Sequence, residues 1–468
     1  MKFKRLHKIV MILTCILLIA GCTSSSGQNK NEEKRTVKIM FWDESYFYQQ
    51  YGDLFSMKFP NTDVEIVSTN NLYDSAEEGE EFDYDKALAK FIDKEQPDVL
   101  LVEAGEIKKL VADGKLAELQ PLIDRDKYDM TTYSQGILES IKEMGEGKLF
   151  ALVPKFSNKG IIYNADLFKK YGVEPPHDGM TWQEILDTAR RFPTDGTEKE
   201  RVYGYGSQYG NNLSELASTI ANEQGLKFYN GQTKQITLNT DAWKNVYKMA
   251  ADAIASKAIY TVTGDGFQGG SMEDYYESQP FLMGRMAMTV DGSYILENIK
   301  RASSNMKDYK GFEIGVAAGP VDPSDPTTTN NAYINELFAV RAGSPNTDAA
   351  WDFVKFVNGE EFAKIKSKTL NNGLPTREGI SKEYNGISLE AFYKLKPKMS
   401  LDNDNELTAL PSSFYEKYRP IMEREIKLLE ENKKTVDEAL TSIQTEAQAA
   451  LDQAFKDEEA EKAQKDKK

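Results

Sequence analysis

The chain is 468 residues long, with 74 acidic against 58 basic residues and a formal charge of −16. That balance supplies no basic footprint for a nucleic-acid partner and disfavours a strongly anionic ligand. Two cysteines, Cys15 and Cys22, and two histidines, His7 and His177, are too few for a zinc site or a Ser-His-Asp triad with any choice of histidine.

Residues 1–21 read as a leader. Lys2, Lys4, Arg5 and Lys8 precede an apolar run, Ile9–Ala20, too short for a comfortable bilayer span. The run ends Ile19-Ala20-Gly21-Cys22, which resembles a bacterial lipobox. Cleavage before Cys22 and acylation of its thiol would leave a lipid-anchored protein and, with four basic residues gone, move the formal charge from −16 to −20. Residues 22–35 are rich in Ser, Asn, Lys and Glu, a composition suited to a tether rather than a core. No cysteine pair remains for a disulfide. The rest of the chain is long enough for two sizeable lobes.

Val37–Trp42 is nearly continuously apolar, as in a strand buried on both faces. The next helix sets Tyr48, Tyr51 and Phe55 at i, i+3 and i+7, and Val64 and Ile66 alternate in a second strand. Tyr84, Ala87, Leu88, Phe91 and Ile92 trace one helical face. Pro97–Val102 is a third strand, and Ile107, Leu110 and Val111 face inward from a helix that Gly114 stops. Strands alternating with helices predict a doubly wound α/β lobe, whose ligands sit beyond the carboxyl ends of strands. That rule selects Trp42, Asp43 and Glu44 after the first strand and Glu103 after the third. Trp42 as a core residue is the alternative.

Lys148–Val153 is a short strand ended by Pro154, and Gly160–Tyr163 is a second extended run. Between them, Lys155–Lys159 suits a crossing between lobes, with Phe156 and Asn158 as candidate contacts. Asn164 or Asp166 caps a helix that ends at Tyr171-Gly172, and Thr181 with Glu184 forms a capping box for the next. His177 reads as a solvated turn residue. Tyr203–Gly210, YGYGSQYG, mixes aromatics with glycines that admit close backbone approach. Tyr205 is a candidate there, a plain turn the alternative, and the GxG spacing lacks the rest of a dinucleotide fingerprint. The loop GDGFQGG, 264–270, offers Phe267. Met283, Met286 and Met288 read as core filling. The run Asp402–Glu406 superficially resembles a calcium loop, but Leu407 holds the sixth place where glycine is needed, so no metal is expected. Phe414, Tyr418, Ile421, Met422 and Ile426 form a helical face. Thr435 and Glu438 box the last helix, and the charged run from Asp452 is expected to fray.

Several of these segments fall in a recognisable order. A G-K-L-x-A-x-x-P strand, an I-Y-N strand, a helix ending in Gly172 and a T-W-Q-E-I-L helix start succeed one another over Gly147–Leu186. Phe281–Leu296, FLMGRMAMTVDGSYIL, and the A-A-W-D-F-V-K-F helix extend the pattern. Together they resemble the substrate-binding proteins of ABC sugar importers, extracellular solute-binding family 1, the maltose-binding-protein class. The resemblance implies a two-lobed α/β periplasmic-binding-protein fold of type II, each lobe a doubly wound mixed sheet with helices on both faces, joined by a three-segment hinge. Lobe one is then 36–156 plus 331–373, and lobe two 157–330 plus 374–468. Tyr333–Val340 resembles the second crossing, with Asn335 and Glu336 near the hinge, and Asn372–Pro375 the third. Trp42 takes the place of a cleft tryptophan, while Asp291 and Tyr294 end a second-lobe strand at the cleft, with tyrosine where the family has tryptophan.

The implied protein is a monomeric, lipid-anchored carrier on the extracytoplasmic face of the cell membrane. It takes a carbohydrate to an ABC permease, with no catalysis and no cofactor. Three rivals stand beside it. A secreted glycoside-processing enzyme would use two carboxylates flanking the scissile bond. A carrier for a peptide or cationic solute is kept open by Asp43, Glu44 and Glu103. A sensor partner for a membrane kinase would use the same fold.

Overall fold

The computed structural model describes residues 34–70, 72, 83–197, 200–208, 210–261, 269–398 and 410–465. The leader, Cys22, Phe267 and the run 402–406 lie outside the described residues.

Strand β1 (Arg35–Phe41) buries Val37, Ile39, Met40 and Phe41 and pairs in parallel with β2 (Thr62–Ser68) and β3 (Val99–Val102). Between β1 and β2 the expected single helix is broken in three. A turn of helix at Glu44–Phe47 widens into a π segment, Tyr48–Gly52, before Asp53–Lys58 resumes. Gly52 sits under the rings there, since a Cβ would lie 2.6 Å from Tyr48 and 2.7 Å from Phe47. Tyr51 and Phe55 are buried as the spacing predicts. Helix Tyr84–Glu95 buries Ala87, Leu88 and Ile92, and helix Ala104–Ala112 gives way at Asp113 to Gly114, whose φ is +65°.

Strand β4 (Ala151–Leu152) is followed by β5 (Lys155–Phe156), so the first crossing is itself extended. Past this crossing comes β6 (Lys159–Asn164). Asn164 caps helix Ala165–Tyr171, Gly172 closes it in the left-handed region, and Thr181 with Glu184 boxes helix Trp182–Ala189, each as expected. Strand β7 (Tyr203–Tyr205), the hairpin β8 (Tyr229–Asn230) and β9 (Gln235–Ile236), β10 (Met286–Gly292) and β11 (Ile314–Ala317) come next. The second sheet runs β11-β6-β10-β7, with β10 parallel to β7 and antiparallel to β6. After β12 (Thr328–Thr329) the chain returns as β13 (Leu337–Val340), antiparallel between β3 and β4, completing a first sheet ordered β2-β1-β3-β13-β4.

Strand β14 (Leu374–Pro375) pairs with β5, and Ser157 exchanges backbone bonds with Tyr333 at 2.9 and 2.7 Å. Three extended crossings therefore lie side by side. Beyond β14, Arg377 still bonds the Asn358 and Asp129 carbonyls. Tyr384, in the hairpin β15 (Glu383–Tyr384) and β16 (Ile387–Ser388), donates to Glu297 of the second lobe. Strand β17 (Lys396–Pro397) pairs with β12 and also meets helix Gln135–Met144, where Ser140 donates to the Pro397 carbonyl at 2.7 Å. The chain ends in two packed helices, Ser412–Glu430 and Val436–Lys465. The charged run from Asp452 does not fray at once: it stays helical to Lys465, and Ala454 is buried against the second-lobe core.

Candidate functional site

The carboxyl ends of both sheets meet the crossings, and the sequence-predicted residues distribute around that junction. Trp42, the residue after β1, is 40% exposed. Its ring stacks on Phe41 at 5.4 Å and tilts against Tyr46 at 4.6 Å, so it is packed on its neighbours while much of it stays open. The core alternative for Trp42 therefore fails. Asp43 is committed to backbone: its carboxylate caps the following helix, accepting from the Tyr46 N–H at 2.7 Å. Glu44 is exposed in that helix's first turn. Glu103 is exposed at the start of helix Ala104–Ala112, where its own N–H donates to Glu106 at 2.8 Å. Two of the carboxylates that kept a cationic solute open are thus helix-capping positions.

At the crossings the predicted residues divide. Glu336 adopts φ +58° and pairs with Lys155 at 3.1 Å, while Tyr51 donates its hydroxyl to the same carboxylate. Burial, then the charge of Glu336, pushes the Tyr51 hydroxyl well above its ordinary range, and the same two causes raise Tyr46. Asn335 is half-buried beside it. Asn158 is 2% exposed; its amide donates to the Phe392 carbonyl at 2.9 Å and its Oδ1 has no partner. Phe156 is only 3% exposed and packs edge-on against Tyr393 at 5.2 Å. It belongs to the hinge core rather than to an open wall.

On the second lobe, Asp291 is buried at the end of β10 and accepts from the Tyr294 hydroxyl at 2.5 Å and the Gly292 N–H at 2.8 Å. Burial raises the carboxyl's pKa, while those two bonds and Lys159 pull it back. The bond fixes the Tyr294 ring across Gly292, where a Cβ would sit 2.9 Å from the ring. Tyr294 remains 40% exposed. Tyr205 is 2% exposed, edge-on to Trp182 at 5.5 Å. The glycines of YGYG serve packing: a Cβ on Gly204 would lie 2.0 Å from the Ala189 carbonyl oxygen. Tyr205 is therefore core, and the plain-turn alternative gives way to a buried strand.

Three neighbours of these residues were not named as candidates. Tyr46 supports Trp42, Lys155 neutralises Glu336, and Tyr333 stands 63% exposed on the second crossing. Lys155 and Tyr333 each carried a signal, since both lie inside segments already read as crossings, whereas Tyr46 carried none. The arrangement leaves two aromatic rings, Trp42 and Tyr294, substantially exposed at strand ends in different sheets, with a buried carboxylate holding the second. Among the described residues no group of three or more His, Cys, Asp or Glu could hold a metal ion, and no helix is long and apolar enough to cross a membrane.

Residues 42–364 match the model of the bacterial extracellular solute-binding protein family. Among curated proteins, 281 residues align at 25% identity with the arabinooligosaccharide-binding protein of Bacillus subtilis, covering 57% of this chain. The match spans 58% of that relative's length. Among solved structures, the sugar-binding protein MalE of the phytopathogen Xanthomonas citri has a TM-score of 0.58 at 15% identity, over 91% of this chain and 99% of its own. A sugar transporter from Rhizobium etli in an open conformation gives 0.57 at 20% identity, over 88% and 99%. These likenesses establish the architecture: two α/β lobes of the type II periplasmic-binding-protein fold.

Proposed function

Because this chain belongs to the bacterial extracellular solute-binding protein family, we propose that it captures a carbohydrate between its lobes and hands it to an ABC importer. The observation that carries the reading is the pair of half-exposed rings, Trp42 and Tyr294, each at the carboxyl end of a strand in a different sheet. Sugars present apolar C–H patches on their ring faces, which a flat aromatic covers without stranding the hydroxyls at the edge. Behind the second ring Asp291 accepts from the Tyr294 hydroxyl and holds it in place, while Asn158, at 2% exposure, stays in the hinge core. Neither lobe alone encloses a solute, so binding favours closure about the paired crossings.

A thermal-shift screen of mono- and oligosaccharides identifies the solute, since a ligand at about 100 times its Kd adds roughly 2.7 kcal/mol. Small-angle scattering then tests the motion. The radius of gyration falls on saturation; a bound protein with an unchanged radius rules out hinge closure.

The anchor is proposed on the sequence Ile19-Ala20-Gly21-Cys22. Acylated Cys22 and the tether to residue 35 place the lobes on the extracytoplasmic face of the membrane, beside the permease. Cys22→Ala converts membrane-bound protein into released protein or uncleaved precursor. A variant that is still processed and still partitions into detergent would contradict the anchor.

A further inference from the structure

Burial alternates along the first crossing. Lys155 is half-buried and Ser157 and Lys159 are exposed, while Phe156, Asn158 and Gly160 between them are buried. A period of two in extended backbone puts Lys155, Ser157 and Lys159 on one face. The second crossing continues that face. Tyr333 lies directly opposite Ser157, joined by the two backbone bonds of an antiparallel pair at 2.9 and 2.7 Å, so the two side chains stand on the same side. Tyr333 is 63% exposed. On the other flank of Ser157, Gly373 of the third crossing raises no side chain, and a Cβ there would stand 3.2 Å from Ser157 Oγ.

Each end of this face leads to one of the two exposed rings. At the first end, Lys155 pairs with Glu336 at 3.1 Å. Glu336 lies close enough to Tyr46 to add to the rise that burial gives its pKa, and the Tyr46 ring is 4.6 Å from that of Trp42. At the other end, Lys159 is the register partner of Gly292, and a Cβ on Gly292 would sit 2.9 Å from the Tyr294 ring. The exposed face of the crossings therefore runs between the two rings, with Tyr333 at its middle.

We infer that this face is the floor of the cleft and that Tyr333 is a third ring for the carbohydrate, covering a sugar unit laid over Ser157. The inference rests on the carbohydrate reading proposed above. An aromatic face buries the C–H patch of a sugar, and the hydroxyl at its tip bonds a sugar hydroxyl. What differs is the place. Trp42 and Tyr294 each follow a strand of one lobe, whereas Tyr333 belongs to the hinge, so it meets the solute before the lobes close as well as after.

The wild type, Tyr333→Ala and Tyr333→Phe are titrated by calorimetry with arabinotriose, maltotriose, xylotriose and cellotriose. Tyr333→Ala binds the saccharide that the wild type prefers about tenfold or more weakly. Tyr333→Phe keeps the ring and recovers most of that loss. The ligand-free variants melt within about 2 °C of the wild type, because the side chain is largely in solvent, and small-angle scattering gives them the wild-type radius. Unchanged affinity in Tyr333→Ala puts the ring outside the site and overturns the inference while the carbohydrate reading stands. A ligand-free radius that shifts along with the affinity makes Tyr333 a hinge residue rather than a contact, and overturns it too. A wild type that binds none of these saccharides removes the carbohydrate reading, and this inference with it.

Discussion

Trp42→Ala weakens carbohydrate binding about thirtyfold or more while the ligand-free protein melts within a degree or two of the wild type. A binding-site aromatic at a hot spot typically contributes at least about 2 kcal/mol, and 1.4 kcal/mol is a factor of ten. The ring can be removed without opening the core because its buried neighbours, Phe41 and Phe47, pack on each other at 5.4 Å independently of it. Tyr294→Ala has the same expected size from the opposite lobe. Tyr294→Phe separates the two parts of that residue's role. It keeps the face that covers a sugar ring but removes the donor to Asp291, so the ring is held less firmly and the loss is a few-fold. Calorimetric affinity beside the ligand-free melting curve distinguishes binding from stability. Unchanged affinity in either alanine variant removes that residue from the site.

Raising the pH from about 4.5 to about 8 costs this protein stability through the carboxyl group of Glu223. The residue ends helix Leu213–Glu223 and is 1% exposed. Its carboxylate accepts from Thr329 at 3.4 Å and from Asn331, while Asn330 bonds its backbone carbonyl at 2.9 Å. Desolvation outweighs these bonds and lifts the pKa from 4.5 to about 8. Between those values the folded state holds a proton that the unfolded state has released. Unfolding free energy therefore declines with rising pH, by about 1.4 kcal/mol per unit at most. Below pH 4.5 both states are protonated and above 8 both are ionised, so the slope from this group vanishes at each end. Glu223→Gln keeps a neutral group of the same shape. Denaturant melts across pH 4 to 9 should show the variant losing less stability than the wild type over the window. Parallel profiles would show that the carboxyl stays charged in the fold.

The same contact has a positional consequence. Glu223 holds Thr329–Asn331, the segment that leads directly into the second crossing at Tyr333.

Local physics carried much of this molecule in the sequence alone. Capping boxes at Thr181–Glu184 and Thr435–Glu438, the cap at Asn164 and the stop at Gly172 depend on residues within four positions of one another, and each is where the spacing put it. The apolar run of β1, the alternation in β2 and the helical faces were legible for the same reason. So was the exposure of Trp42, which follows directly on the carboxyl end of a strand in an open α/β sheet.

Tertiary structure decided the rest. Tyr51 meets Glu336 across 285 positions, and β13 slots between β3 and β4 after the chain has built an entire second sheet. Phe156 and Tyr205 have the composition of cleft residues, yet Tyr393 and Trp182 cover them. Periodicity reports which residues share a face of an element, because that is set by the pitch of the backbone. It cannot report what is laid over that face, because the covering residues arrive from distant parts of the chain, and their approach is settled only when the whole core packs.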